Sequence, residues 1–170
     1  MYGVVHGGTD RELRKLSAEY LGSLPFDGFA VGGSLGKNRD EMIELLEYLM
    51  PLLAEEKPVH LLGIGDEESL SRAVPHGIDT ADCVWATRNA RHGQLFLCGG
   101  KTINIHSGKF AKDFGPIDPD FETVPHSRAY IHHLFKAREP LFATLASQHN
   151  LFYMNKLMAD LREKIMNDEI

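Results

Sequence analysis

The fold class is decided by the stretch Gly28-Phe29-Ala30-Val31-Gly32-Gly33, an apolar run that ends in a glycine pair. The apolar residues predict a short buried strand, and the glycines predict a tight turn after it. Asn38 can cap a helix from about Arg39 to Met50, which carries apolar residues on one face. The stretch therefore predicts one unit of a strand followed by a helix.

The same unit occurs on both sides of this stretch. Before it, Tyr2 to His6 predicts a strand and Arg11 to Leu24 a helix. After it, Val59 to Ile64 predicts a strand, Asp66 caps a helix to about Val74, and a fourth strand is expected around Cys83 to Ala86. Repeated units of this kind predict an α/β domain with a parallel sheet, either doubly wound or part of a (β/α)8 barrel. Periodicity leaves that choice open.

The pattern changes beyond Arg91. Two strands, Gln94 to Cys98 and Thr102 to His106, flank a glycine pair and predict a hairpin. Helices are expected from Ser127 to Ala137 and from about Asn150 to Met166. We predict two domains, residues 1–92 with the strand–helix units and residues 93–170 with the hairpin, a loop and the helices.

Composition limits the class of protein. The chain has 170 residues, a net charge of -6 and only two cysteines, Cys83 and Cys98. These values are typical of a globular domain from a reducing compartment and argue against a generally basic nucleic-acid binder. No apolar stretch approaches the roughly 18 residues that span a bilayer, and a basic segment leading into an apolar one is missing at the N-terminus. We expect a cytoplasmic protein with no membrane partner.

Two Gly-Lys pairs resemble part of a P-loop, but neither matches the full motif. A P-loop needs a glycine five residues before its Gly-Lys pair, where this chain has Val31 before Gly36-Lys37 and Leu95 before Gly100-Lys101. The GxGxxG fingerprint of dinucleotide-binding folds is also absent after the first strand. ATP, GTP and NAD binding are therefore disfavoured.

The strongest charge signal lies between Asp82 and Asp113, an interval without acidic residues. It contains five arginines and lysines and two histidines: Arg88, Arg91, His92, Lys101, His106, Lys109 and Lys112. The interval is either a solvated hairpin that is incidentally basic or a surface that contacts phosphates. Asp82 at its start could be a nucleophile at a sugar carbon, because an ionised carboxylate attacks an oxocarbenium-like centre and its ester can be displaced.

Seven blocks, in order along nearly the whole chain, carry a family resemblance: Gly28 to Gly33, Leu62 to Gly65, Gly77-Ile78-Asp79 with Ala81 to Val84, Thr87 to Arg91, Asp113 to Pro119, Ser127 to Leu134, and His149-Asn150. Together they resemble the tRNA-guanine transglycosylase family. The resemblance implies the second half of a (β/α)8 barrel of the TIM type, followed by a mixed hairpin and helical C-terminal subdomain.

The resemblance also assigns roles. Asp82 matches the nucleophile that attacks C1′ of the wobble-position guanosine in tRNA, releases guanine and holds the tRNA as an ester. The incoming base would be a 7-deazaguanine, either queuine or its precursor. Gly32 and Gly33 match glycines whose backbone approaches the base. The candidate tRNA-binding residues for the anticodon loop are Arg88, Asn89, Arg91 and Lys101.

Three departures from the family stand out. His6 replaces a glutamine that contacts the base, and Ser34 replaces a leucine of many bacterial members, so both are candidate base-binding residues. The family's zinc-binding cysteines are missing between Asp120 and His126, and His149 is the only surviving ligand position. We therefore predict no metal and no cofactor, because one histidine cannot hold structural zinc. A replacement metal site from Asp120, Glu122, His126 and His149 is the alternative.

The resemblance further implies that the family's base-recognising and acid/base aspartates lie on barrel strands outside this chain. A second polypeptide, in a homo- or hetero-oligomer, is then expected to complete the barrel. The alternatives are a non-catalytic tRNA-binding subunit, an inactive fragment of the family, or a small-molecule binder with a flavodoxin-like sheet.

Overall fold

Strands and helices alternate through residues 1–83 of the computed structural model, as the repeated pattern predicts. The strands are β1 (Tyr2–Val5), β2 (Gly28–Val31), β3 (Val59–Leu61) and β4 (Thr80–Ala81), and the helices are α1 (Arg11–Gly22), α2 (Arg39–Leu49) and α3 (Glu67–Ala73). The structure describes residues 1–121 and 123–170, which divide into two units, Met1–Cys83 and Val84–Ile170.

Each helix of the first unit begins at a side-chain cap. The carboxylate of Asp10 accepts a hydrogen bond from the backbone N–H of Leu13, and Asn38 and Asp66 cap α2 and α3 in the same way. Such caps satisfy N–H groups that have no partner inside the helix. The predicted starts of all three helices are therefore confirmed.

The four strands form one parallel sheet in the order β1-β2-β3-β4, which is also their order along the chain. This confirms the predicted parallel sheet. A doubly wound sheet reverses its strand order at a switch point, and the four strands of the described first unit contain no such reversal. The flavodoxin-like alternative is thereby weakened.

The helices cover one face of this sheet. Phe29 and Val31 of β2 and Leu61 of β3 are buried in a core that also includes Leu46 and Leu49 of α2. In β1, by contrast, Tyr2 and Val4 stay partly exposed. Helix α1 also leaves an apolar stripe uncovered, which we call the α1 stripe: Leu13, Leu16 and Tyr20.

The predicted fourth strand was misplaced. Residues 80–81 form β4, and Trp85–Arg91 forms helix α4 of the second unit, so the expected strand from Cys83 to Ala86 is wrong. The apolar residues of this segment belong to a helix because Ala86 and Ala90, four residues apart, are buried on one side of it.

The second unit is α4 followed by the hairpin β5 (Gln94–Leu97) and β6 (Lys101–Asn104), a turn of 3-10 helix at Gly108–Lys112, and the helices α5 (Arg128–Ala137) and α6 (Pro140–Met166). The predicted hairpin is confirmed as an antiparallel pair. Helix α6 begins ten residues before the predicted start, with Pro140 in its first turn. The unit begins at Val84 instead of the predicted residue 93 because Ala90 of α4 packs into the core around Leu95 and Ile131.

Among the described residues, no helix is both long enough and apolar enough to cross a bilayer.

Candidate functional site

The first unit aligns four residues at the carboxyl ends of its strands: His6, Gly32, Leu62 and Asp82. Each directly follows the last paired residue of its strand. The backbone N–H of Leu62 donates to the carbonyl of Val31 (2.9 Å), and the backbone N–H of Asp82 donates to the carbonyl of Leu61 (3.4 Å). The hydrogen bonds between neighbouring strands therefore continue into this row. Because successive residues of a strand face opposite sides, the row faces away from the helix-covered core.

Asp82 is the most exposed charged group of this row, with 62% of its side chain accessible. Its Oδ1 accepts hydrogen bonds from the backbone N–H of Gly63 (3.1 Å) and from His60 Nε2 (3.1 Å). These bonds, that of Gly63 first and that of His60 second, lower the pKa of Asp82 below its usual value. The carboxylate is therefore ionised at neutral pH, which suits a nucleophile and not a general acid.

His60 holds the carboxylate from the middle of β3. The register pairs it with Thr80, two residues before Asp82, so all three side chains lie on one face of the sheet. Its Nδ1 lies 2.8 Å from Thr80 Oγ1. Since Asp82 only accepts, Nε2 donates to it, and in a neutral ring Nδ1 then accepts from the threonine hydroxyl. Sequence reasoning missed His60, because it lies 20 and 22 residues before Thr80 and Asp82 and no pattern in the sequence pairs it with them.

The candidate base-binding residues fall into two groups. Gly33, with a φ of +76°, lies beside His6, because a Cβ built on it would be 3.4 Å from His6 Nδ1. Gly33, Ser34 and His6 are exposed. Gly32 is buried, and a Cβ there would meet Leu62 Cδ1 at 2.7 Å, so any larger residue at this position would displace the Leu62 side chain. The structure brings His6 and Gly33 together at one surface.

The candidate tRNA-binding residues lie in the second unit. Arg88, Asn89 and Arg91 are on α4, and Lys101 begins β6. We call the arginines and lysines of the acid-free interval the basic set: Arg88, Arg91, Lys101, Lys109 and Lys112. All five are exposed. None of them forms an ion pair within residues 1–121 and 123–170. Lys109 lies over the Phe110 ring, 4.9 Å from its centroid. Since no carboxylate pairs with these cations in the described residues, they can bind an external anion.

His149 occupies the one surviving zinc-ligand position, and it does not fit a metal. It is 1% exposed, its Nε2 lies 2.6 Å from the carbonyl oxygen of Phe96, and its Nδ1 lies 2.6 Å from Thr123 Oγ1. The carbonyl can only accept, so Nε2 carries the proton and the lone pair of Nδ1 accepts from the threonine hydroxyl. Burial lowers the pKa of His149, which keeps the ring neutral. Both ring nitrogens are thus engaged by protein groups.

The described members of the alternative metal site do not form a ligand group. Within the described residues, no group of three or more histidine, cysteine, aspartate or glutamate side chains could hold a metal ion. Glu122, one of its four proposed ligands, lies outside the described residues. The His126 ring packs on Tyr130, with 4.9 Å between ring centroids.

Comparison with known proteins gives one consistent result. The family model described as queuine tRNA-ribosyltransferase matches residues 1–170. The chain is 53% identical over 173 residues to the queuine tRNA-ribosyltransferase of Protochlamydia amoebophila (strain UWE25), covering 100% of this chain and 44% of the relative. It is 47% identical over 174 residues to the protein of that name from Chlamydia caviae, covering 100% of this chain and 46% of the relative. The chain therefore spans less than half the length of these curated relatives.

Proposed function

The chain belongs to the queuine tRNA-ribosyltransferase family, and on that basis we propose that it carries the nucleophile side of a tRNA base-exchange site. The observation that carries the proposal is Asp82, an exposed and ionised carboxylate at a strand end, held by Gly63 and His60. A carboxylate held in this way is ready to attack without first losing a proton.

Asp82 is the nucleophile in this proposal. One of its oxygens bonds to C1′ of the wobble guanosine while the C1′–N9 bond breaks and N9 of guanine takes the electron pair. Guanine is then protonated and leaves, and the tRNA stays on Asp82 as an ester. In the second half-reaction, N9 of a 7-deazaguanine attacks C1′, its proton is removed, and Asp82 leaves as a carboxylate. Of the chain's own residues, His60 and Gly63 stabilise that leaving carboxylate.

The base binds at His6, Gly32, Gly33 and Ser34, which follow strands at the same end of the sheet as Asp82. The exposed backbone of Gly33 can approach a flat ring because it has no side chain, and His6 beside it offers a ring nitrogen for a hydrogen bond. A histidine ring presents a different donor pattern from the glutamine of the family. We therefore propose that His6 contributes to the choice among 7-deazaguanine bases.

The anticodon loop binds to the basic set and Asn89. Free, exposed cations contribute affinity through phosphate contacts and counterion release. They explain how a chain of net charge -6 binds a polyanion locally. This part of the proposal concerns binding alone and does not depend on the reaction.

A partner completes the site. The sequential parallel sheet supports half of a (β/α)8 barrel, in which β1 and β4 are edge strands that another polypeptide pairs with. The half-exposed Tyr2 and Val4 of β1 and the uncovered α1 stripe support the same conclusion. The general acid/base groups of the exchange come from that partner.

A base-exchange assay tests the proposal. Labelled 7-deazaguanine is incubated with a tRNA that has guanine at the wobble position and with the chain, alone and with the remainder of the Protochlamydia amoebophila relative. We expect incorporation only when both polypeptides are present, and none with Asp82→Asn. Incorporation that survives in Asp82→Asn would overturn the assignment of the nucleophile.

A non-catalytic tRNA-binding subunit is the second candidate, and the free cations of the basic set are the observation that favours it. It predicts tight binding of tRNA with no incorporation of base under any of these conditions. The same assay, with tRNA binding measured in parallel, separates the two candidates.

A further inference from the structure

Arg14 of α1 is a charged residue in an apolar place. Its side chain is fully buried, at 0% exposure, although every other residue of α1 except Ala18 is exposed or half-buried. Within residues 1–121 and 123–170 it takes part in no ion pair. Burial accordingly lowers the pKa of the Arg14 guanidinium.

Four backbone carbonyls take the place of a counter-ion. Nε donates to the carbonyl of Gly8 (2.8 Å) and Nη1 to that of Val5 (2.6 Å). Nη2 donates to the carbonyls of Gly32 (2.9 Å) and Ser34 (3.0 Å). The planar guanidinium therefore connects the loop after β1 to the loop after β2.

These are the two loops that carry the candidate base-binding residues. His6 lies between Val5 and Gly8, and Gly33 lies between the two carbonyls that Nη2 binds. Gly33 adopts a left-handed conformation at the point where it meets the His6 ring. Helix α1 holds His6 a second time, since the backbone N–H of His6 donates to Ser17 Oγ (3.1 Å).

A buried cation without a carboxylate is costly, and an apolar side chain would fill the same space at lower cost. What an apolar side chain cannot do is fix four carbonyls from two loops at once. Lysine could not do so fully either, because its three donors radiate from a single atom whereas arginine holds five in a flat fork.

We propose that Arg14 is a positioning residue for base recognition, which sets the distance between His6 and Gly33 without touching the base. The inference rests on the proposed function, because it takes this surface as the place where a 7-deazaguanine binds. A site held in its bound geometry before the ligand arrives loses less ordering entropy on binding, so the effect of Arg14 falls on base affinity.

The test titrates 7-deazaguanine itself into the 15N-labelled full chain, combined with the remainder of the Protochlamydia amoebophila relative, and follows the amide signal of Gly33. We expect saturable binding by the wild-type chain, about tenfold weaker binding by Arg14→Met, and an intermediate affinity for Arg14→Lys. In both variants the Gly33 amide should already be shifted before any base is added. Arg11→Met removes the same charge from an exposed site on the same helix, where the guanidinium lies over the Tyr48 ring, and should bind the base within about twofold of wild type.

Binding of tRNA to the basic set is the second measurement, and it should be unchanged in every variant because the basic set lies in the second unit. The amide signals of the first unit, outside the loops after β1 and β2, should keep their wild-type positions, which shows that this unit still folds. If Arg14→Met does not fold, Arg14→Lys decides the matter. Wild-type base affinity together with an unshifted Gly33 amide in Arg14→Lys would overturn the inference and leave the proposed function intact. Absence of saturable base binding by the wild-type chain would overturn the base site itself, and the role of Arg14 with it.

Discussion

Replacing Thr123 by valine tests whether the hydrogen bonds of the buried His149 stabilise the second unit. The change removes the hydroxyl that donates to Nδ1 of the buried His149 and keeps the shape of the side chain. An acceptor left without a partner in the interior costs about 1–3 kcal/mol. Burial of the methyl group that replaces the hydroxyl offsets less than about 1 kcal/mol of this cost, because residue 123 is only half-buried. We expect the second unit to lose about 1–2 kcal/mol of unfolding free energy.

The only tryptophan of the chain reports on this unit. Trp85 stacks on Phe96 with 4.1 Å between ring centroids, and the Phe96 carbonyl accepts from His149. Urea unfolding followed by Trp85 fluorescence therefore measures the loss. Thr102→Val is the matched control, since its hydroxyl is exposed on β6, and it should stay within about 0.5 kcal/mol of wild type. Equal stability of Thr123→Val and wild type would refute the argument.

The lowered pKa of His149 predicts that the free energy of unfolding decreases as the pH falls. Burial lowers the pKa of His149 in the folded state, so the unfolded chain takes up this proton first, at about pH 6.5. The stabilisation that comes from keeping His149 neutral is complete above that pH. It declines as the pH falls toward the pKa of His149 in the folded state, by at most about 1.4 kcal/mol per pH unit. An NMR titration of the His149 ring should give a midpoint below 6.5, and elemental analysis should find no stoichiometric zinc. A normal midpoint or one zinc per chain would contradict this account.

Three further predictions follow from the site. The double variant Arg88→Ala, Arg91→Ala should weaken tRNA binding and reduce the slope of log affinity against log salt by about 0.7 to 0.9 per lost phosphate contact, measured by filter binding; an unchanged slope would mean that the basic set is idle. His60→Phe should slow transfer of the tRNA from the Asp82 ester to 7-deazaguanine about tenfold, because the leaving carboxylate loses one hydrogen bond, without changing tRNA affinity, and an unchanged rate in single-turnover measurements would remove His60 from the site. The chain should sediment as an oligomer at low micromolar concentration, and Leu16→Glu on the α1 stripe should shift it toward the monomer; a well-folded wild-type monomer would count against the partner.

Much of the fold could be predicted because its signals are local. Strand, glycine turn and capping residue follow one another in each unit of the first half, and each acts on its immediate neighbours. The misplaced fourth strand shows where local signals fail. The short apolar run from Cys83 to Ala86 fits a strand or a buried helix equally well, and only the packing of Ala86 and Ala90 decides between them. Helix α6 was predicted too short because nothing marks its start except Pro140, which both ends and begins helices.

The candidate site was predictable only in part. Asp82 could be singled out because it precedes the acid-free interval and because it matches the family's nucleophile. Its place directly after β4 could not be predicted, because the fourth strand was expected from Cys83 to Ala86. His60 could not, because it lies twenty-two residues away and meets Asp82 only through the register of β3 and β4. The burial of Arg14 could not be predicted, because arginine is rarely fully buried. Its partners are backbone carbonyls from two distant loops, and no sequence pattern reveals those.

The covalent adduct between the chain and tRNA tests the central claim most directly. The chain, the remainder of a full-length relative and a labelled tRNA with guanine at the wobble position are mixed without free base and then denatured. We predict a labelled band at the mass of this chain plus tRNA, linked through Asp82 and absent in Asp82→Asn, while the affinity for tRNA stays nearly unchanged because a nucleophile contributes mainly in the transition state. An adduct that persists in Asp82→Asn, or a loss of tRNA affinity in that variant as large as in the double arginine variant, would contradict the account and make Asp82 a structural anchor of its loop.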